Sequence, residues 1–136
     1  MKFYVSAKWH LKDHVSAMNE YLRSQGHEST ADWTVRAYAR GYGGENAQMS
    51  DELSEEEIHA ILESDLFIHL SDMGGKGKYI DLGIALAGHK LQGKPDIYIL
   101  GKDANESQFY FNRSVKGRIQ TEDVVECLDE ILKNYS

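Results

Sequence analysis

The stretch that most constrains how this chain folds runs from Ser64 to Ala87, S-D-L-F-I-H-L-S-D-M-G-G-K-G-K-Y-I-D-L-G-I-A-L-A. Leu66 to Leu70 is an apolar run of strand length, and it stops in a glycine-rich segment, Asp72 to Gly77. Beyond the glycines, apolar spacing predicts a helix from about Lys78 to Leu91, with Ile80, Ile84, Ala87 and Leu91 turned to a sheet. Strand, glycine turn and helix start is how α/β sheets make ligand sites, because ligands bind beyond the carboxyl ends of parallel strands. Free N–H groups and the positive dipole end of the helix favour an anion there. Asp81 is expected in the first turn of that helix.

The rest of the chain alternates in the same way. Residues 2–6 read as a first strand, 11–25 as an amphipathic helix stopped by Gly26, and 28–32 as a weak second strand. A long segment, 33–50, carries Arg36, Tyr38, Arg40, Tyr42 and Gly41, Gly43 and Gly44, and connections of that length are usually functional or mobile. A helix is expected at 51–63, a strand at 96–101, a short last strand at Phe109–Phe111, and a final helix capped by Thr121. Alternation over the whole length predicts an α/β chain: a three-layer, flavodoxin-like or Rossmann-like domain spanning residues 1–136. About five mostly parallel strands, in the order 2-1-3-4-5, lie between helices.

Charge and composition exclude several function classes. A net charge of -7 argues against nucleic acid as a partner, since phosphate backbones demand clustered Lys and Arg. No apolar run reaches a membrane span and the N-terminus lacks a signal peptide's apolar core, so no membrane partner is expected. The single cysteine, Cys127, cannot make an internal disulfide, which fits a cytoplasmic protein. Its apolar neighbours Val124, Leu128 and Ile131 make it a core residue. His10 and His14 share a helical spacing but lack a third ligand, so neither a metal site nor a cofactor is expected.

Each candidate site residue carries two readings. The loop G-G-K-G-K lacks the pattern of a P-loop and of the dinucleotide fingerprint, and three glycines with two lysines exceed what a tight turn requires. Close approach of a ligand to the backbone accounts for the excess. Asp81 either stabilises a helix start or serves a ligand as nucleophile or hydroxyl acceptor. Glu57 sits in an acidic run, where Ser54-x-x-Glu57 also fits a capping box. Asp32 and Trp33 end the second strand, where a ligand could sit or the Trp could cover the core edge.

Across most of its length the chain resembles the nucleoside 2-deoxyribosyltransferase superfamily, which includes the deoxynucleoside 5′-monophosphate N-glycosidases. The carriers are K-F-Y-V-S-A, D-W-T, S-D-L-F-I-H-L, G-G-K-G-K-Y-I-D-L-G-I-A-L-A and G-K-P-D-I-Y-I-L-G. The resemblance implies cleavage or exchange of the N-glycosidic bond of a 2′-deoxynucleoside or its 5′-monophosphate through a carboxylate nucleophile. Asp81-Leu82-Gly83-Ile84-Ala85 falls on the motif Glu-Leu-Gly-x-Ala, which makes Asp81 the nucleophile. Glu57 falls where the family carries an aspartate that holds a sugar hydroxyl or assists the base. Both carboxylates differ in length from the pattern, so a nucleotide-binding module without turnover is the competing expectation. By the same resemblance Ser6, Lys8, Asp32, Trp33, Asp72, Gly74, Gly75, Lys76, Gly77 and Tyr79 would line the substrate. Lys8, Lys76, Lys78 and Arg113, with Ser107 and Ser114, are candidate phosphate contacts. The partner implied is a small-molecule deoxynucleoside or nucleotide, and the assembly a homodimer or higher homo-oligomer.

Overall fold

A computed structural model describes residues 1–35 and 46–135. Arg36, Tyr38, Arg40 and the glycines and tyrosine of 41–44 lie outside the described residues. Strands β1 (Lys2–Ser6), β2 (Glu28–Ser29), β3 (Leu66–Leu70), β4 (Asp96–Gly101) and β5 (Val115–Gln120) form a parallel sheet in the order β2-β1-β3-β4-β5. The helices are α1 (Lys12–Ser24), α2 (Ala47–Glu63), α3 (Lys76–Gln92) and the short α4 (Leu128–Leu132). Short 3₁₀ turns at Trp9–Leu11, Trp33–Val35 and Gln108–Phe111 join them.

The layers follow from handedness. The chain steps from β1 to β2 in one direction, then from β2 through β3 and β4 in the other. Right-handed crossovers therefore put α1 on one face and α2 with α3 on the opposite face. The Tyr21 hydroxyl of α1 bonds the Asp129 carboxylate of α4, so α4 shares the α1 face. Every residue of β3 is buried, which is why L-F-I-H-L reads as a continuous apolar run rather than an alternating one. Phe67 stacks in parallel on Tyr4 of β1 at 6.0 Å between ring centroids.

Several expected boundaries shift, each for a physical reason. The second strand shrinks to Glu28–Ser29, because Asp32 instead gathers the Thr34 N–H and the Arg23 guanidinium into a turn. The helix expected at 51–63 begins at Ala47, which leaves Ser54 inside it. Its hydroxyl donates to the Asp51 carbonyl, so no capping box holds Glu57. The expected last strand at Phe109–Phe111 is a 3₁₀ turn capped by Ser107, whose hydroxyl accepts from the Phe109 N–H. The strand is β5, V-K-G-R-I-Q, whose alternating half-buried and exposed residues mark an edge.

The largest correction is to α3. It starts at Lys76, so Asp81 lies in the second turn, beyond the free N–H groups. Of the stripe expected to face the sheet only Ile84 packs partly against the core; Ala87 is exposed, Ile80 is 66% and Leu91 88% exposed. Leu82, Ala85 and Leu86 are buried in its place, on the face that also carries Lys78 and Asp81. Turning that stripe inward would bring Leu82, Ala85 and Leu86 out together with the carboxyl of Asp81. The structure keeps the carboxyl inside.

Candidate active site

The site begins with alternation along β1. Successive strand residues point to opposite faces, so Tyr4 and Ser6 project together toward α2 and α3. The Tyr4 hydroxyl donates to Glu57 Oε1 at 2.9 Å, and the buried Ser6 hydroxyl donates to Asp81 Oδ2 at 2.8 Å. The two carboxyls also lie within hydrogen-bonding reach of each other. Three elements distant in sequence thus bring one carboxyl pair together under two hydroxyl donors, beside the carboxyl end of β1.

This arrangement sets the protonation of Asp81. Burial, followed by the negative charge of Glu57, holds its carboxyl well above the usual carboxylate range, and the Ser6 hydrogen bond only partly offsets them. Asp81 is 7% exposed, whereas Glu57 is half-buried. Two carboxyls in contact cannot both ionise cheaply, so the pair holds one proton between them near neutral pH.

The glycine loop is built around Lys8 and Lys78. Gly75 precedes α3 with φ 82, and a Cβ added there would stand 2.6 Å from Lys8 Cβ. The Lys8 ammonium donates to the Met73 carbonyl at 2.8 Å, while the Met73 N–H donates to Asp103 Oδ2 at 2.9 Å. Lys78 is buried, and its ammonium donates to the carbonyls of Leu70 (3.2 Å) and Asp72. Burial pushes its pKa down to about 8, against the pull of Asp72 and with the push of Lys8. Behind the loop, the Nε2 of buried His69 lies 2.8 Å from the Tyr110 hydroxyl. Burial, then the charge on Lys78, pushes the imidazole down to about 3, so it is neutral.

Not every expected site residue converges here. Ser6, Glu57 and Asp81 form the centre, and Lys8, Asp72, Gly74, Gly75, Lys76, Gly77 and Tyr79 make the adjoining loop and the start of α3. Asp32 is committed to Asn19, Arg23 and Thr34, an arrangement that holds its carboxylate below the usual range despite burial. Trp33 is a core residue whose indole N–H donates to the Val5 carbonyl at 2.8 Å. Ser114 accepts from the Lys90 ammonium at 3.1 Å and Ser107 caps a turn. Asp72 lines a separate cavity of about 240 Å³ together with His14 and Lys102. Sequence reasoning missed Tyr4, His69 and Tyr110. Only Tyr4 left a signal, since it stands two residues before Ser6 on the same strand. Among the described residues no group of three or more His, Cys, Asp or Glu is placed to hold a metal ion.

No protein-family profile matches the sequence, and no curated protein matches it. Among solved structures the chain is similar to the CMP N-glycosidase BcmB of Clostridium botulinum, with a TM-score of 0.66 at 18% identity. The match covers 95% of this chain and 99% of the other. At that identity the likeness establishes a shared fold. The α/β architecture implied by the resemblance to the nucleoside 2-deoxyribosyltransferase superfamily is the one found, and this fold is also that of a nucleotide N-glycosidase.

Proposed function

We propose that the protein cleaves the N-glycosidic bond of a nucleoside 5′-monophosphate, using Asp81 and Glu57 as its catalytic carboxyl pair. The observation that carries this reading is the pair itself: two carboxyls in contact at the carboxyl end of β1, with Asp81 pushed above the carboxylate range. Glycosidic cleavage needs one carboxylate to meet positive charge developing at C1′ and one acid to protonate the departing base. A pair that shares one proton supplies both. Lys8, Lys76 and the N–H groups that open α3 supply positive character for a phosphate. The 2′-deoxynucleotides implied by the resemblance, and CMP, the substrate in the neighbour's name, are the first substrates to try.

The test is to incubate the protein with each ribo- and deoxyribonucleoside 5′-monophosphate and with the free nucleosides, and to measure released base by chromatography. Base release from at least one monophosphate is expected. No release from any of them, or undiminished release by a variant carrying both Asp81→Asn and Glu57→Gln, rejects the reading. Transfer to a second base would be read in the same assay by adding one.

A binding module without turnover is the second reading. The altered length of both carboxylates favours it, Asp81 standing one methylene short and Glu57 one methylene long of the pattern in the resemblance, since misplacement near 1 Å can cost on the order of a hundredfold in rate. Nucleotides that raise the melting temperature without releasing base would support it. A homo-oligomer is part of the proposal as well: Ile80 and Leu91, exposed on α3, are apolar surface of the kind subunits cover. Light scattering in solution tests it, and a monomer at all concentrations rejects it. No helix of the described residues is long and apolar enough to cross a membrane. With the lone Cys127, that is in keeping with the cytoplasmic location proposed here.

A further inference from the structure

We propose that the cavity of about 240 Å³ at the carboxyl ends of β3, β4 and β5 binds a free α-amino acid with a short apolar side chain. The cavity is separate from the carboxyl pair and lies on the other face of the sheet. Ser6 and His69 are paired in register and share the face of α2 and α3, so Leu70, the next residue, points the opposite way. Leu70 lines the cavity, with Leu11 and His14 entering from the start of α1 and Val124 from the segment before α4.

The backbone around the cavity is pinned. The Gly101 carbonyl accepts from the Thr121 N–H at 3.0 Å, and the Gln120 side chain spans the Lys102 carbonyl and the Ala104 N–H. The Asp72 carbonyl is held by Lys78. Gly101 has φ 140, and a Cβ there would stand 2.8 Å from Asp72 Oδ1 and 2.6 Å from Ser71 Oγ. The missing side chain lets the Asp72 carboxylate lie against the end of β4. The charged groups on this fixed frame are free. Among the described residues, the side chains of Asp72, Lys102 and Glu122 take part in no hydrogen bond or ion pair. Opposite charges that line one cavity without pairing leave both signs to a ligand.

Size, charge and floor define that ligand. At roughly 30 Å³ per water-sized group the cavity has room for on the order of eight non-hydrogen atoms, too few for a nucleotide. Asp72 and Glu122 repel a phosphate, Lys102 repels a metal cation, and a neutral base would use none of the three charges. A zwitterion meets both signs. Its carboxylate accepts from Lys102, which follows β4, and its ammonium donates to Asp72 and Glu122, which follow β3 and β5 on either side. The floor is apolar, with Leu70 and Val124 buried and Leu11 half-buried, and suits a short aliphatic side chain.

Calorimetric titration of the full chain tests this, with alanine, valine and leucine set against propionate, ethylamine, orthophosphate and cytosine. At least one of the amino acids should bind with a Kd below about 1 mM. Propionate and ethylamine, each lacking one charge, should bind at least about tenfold more weakly. Lys102→Met and Glu122→Gln, both at exposed positions, should each weaken the amino acid at least about tenfold without lowering the melting temperature. The variant carrying both Asp81→Asn and Glu57→Gln should bind it as wild type does. Absence of binding by all three amino acids overturns the inference, as does tighter binding of orthophosphate or cytosine. Equal binding of propionate, undiminished binding by Lys102→Met and Glu122→Gln, or loss of binding in the carboxyl-pair variant overturns it too. Binding is read directly, so the result stands whether or not any monophosphate releases base, and failure of the N-glycosidase reading is told apart from failure here.

Discussion

The hydroxyl of Ser6 donates a 2.8 Å hydrogen bond to the carboxyl of Asp81, 75 residues further along the chain. It joins the last residue of the first strand to the second turn of α3, and both partners are buried. A buried donor and acceptor that satisfy each other cost little, but either one alone would cost about 1–3 kcal/mol. The contact acts with the burial of Leu82, Ala85 and Leu86 to set which face of α3 meets the sheet.

Asp81→Asn should stabilise the fold increasingly as pH rises. The folded-state pKa of Asp81 is raised above its unfolded value of 3.8, so between the two the native state binds the extra proton. Stability contributed by this group is then lost as pH climbs through that window. The amide removes the penalty, can still accept from Ser6, and can donate to Glu57. Melting temperatures at pH 5 and pH 8 check this, with a small difference at the first and a gain of about 5 °C at the second. A variant that melts lower than wild type at pH 8 contradicts it.

Tyr4→Phe isolates the donor to Glu57 from the ring that carries it. The stack on Phe67 is retained, so stability should fall by only about 1 kcal/mol, the net worth of one hydrogen bond. Base release should fall by at least about tenfold, because the carboxylate loses the hydroxyl that orients and stabilises it. Urea unfolding and the chromatographic assay give the two numbers. A variant that is fully active excludes a role for this hydroxyl.

Gly74 and Gly75 should differ on substitution. Both have positive φ, 88° and 82°, which costs an alanine about 1 kcal/mol or more. At Gly74 the space beyond is open, whereas at Gly75 the new Cβ meets Lys8 Cβ at 2.6 Å. Gly75→Ala should therefore cost at least about 1 kcal/mol more than Gly74→Ala in urea unfolding, and should displace the loop that Lys8 holds. Equal costs would show that the Lys8 backbone yields freely.

Lys78→Met tests the buried ammonium. The folded-state pKa is lowered to about 8 from 10.5, so below pH 8 the protein bears the whole cost of burying the charge. Wild-type stability should regain that cost as pH rises from about 8 toward 10.5. The variant should lack this rise while leaving the carbonyls of Leu70 and Asp72 without their donor. Comparing unfolding free energies at about pH 7 and about pH 10 for both proteins decides the point.

The architecture was legible in the residues before any coordinates, because its signals are local. L-F-I-H-L reads as a strand of a sheet covered on both faces, and the glycines after it allow the positive φ that turns the chain into α3. The expected strand order, 2-1-3-4-5, is the one found. Strand β5 left no such trace, since V-K-G-R-I-Q on an open edge has neither a long apolar run nor a helical period.

Which face of α3 lies inside, and what its carboxyl meets, depended instead on contacts between distant elements. As a periodic pattern, Ile80, Ile84, Ala87 and Leu91 look like the buried stripe, and Asp81 looks like a solvated residue near a helix start. Leu82, Ala85 and Leu86 offer a second apolar face at the same spacing, and periodicity cannot register the donor on another strand that meets Asp81. Ser6 supplies that donor, Glu57 arrives from α2 beside it, and the helix settles with Lys78 and Asp81 inward alongside Leu82, Ala85 and Leu86. The glycine loop announced a ligand site. The pairing of Asp81 with Glu57, on which any chemistry there depends, exists only once β1, α2 and α3 have packed together.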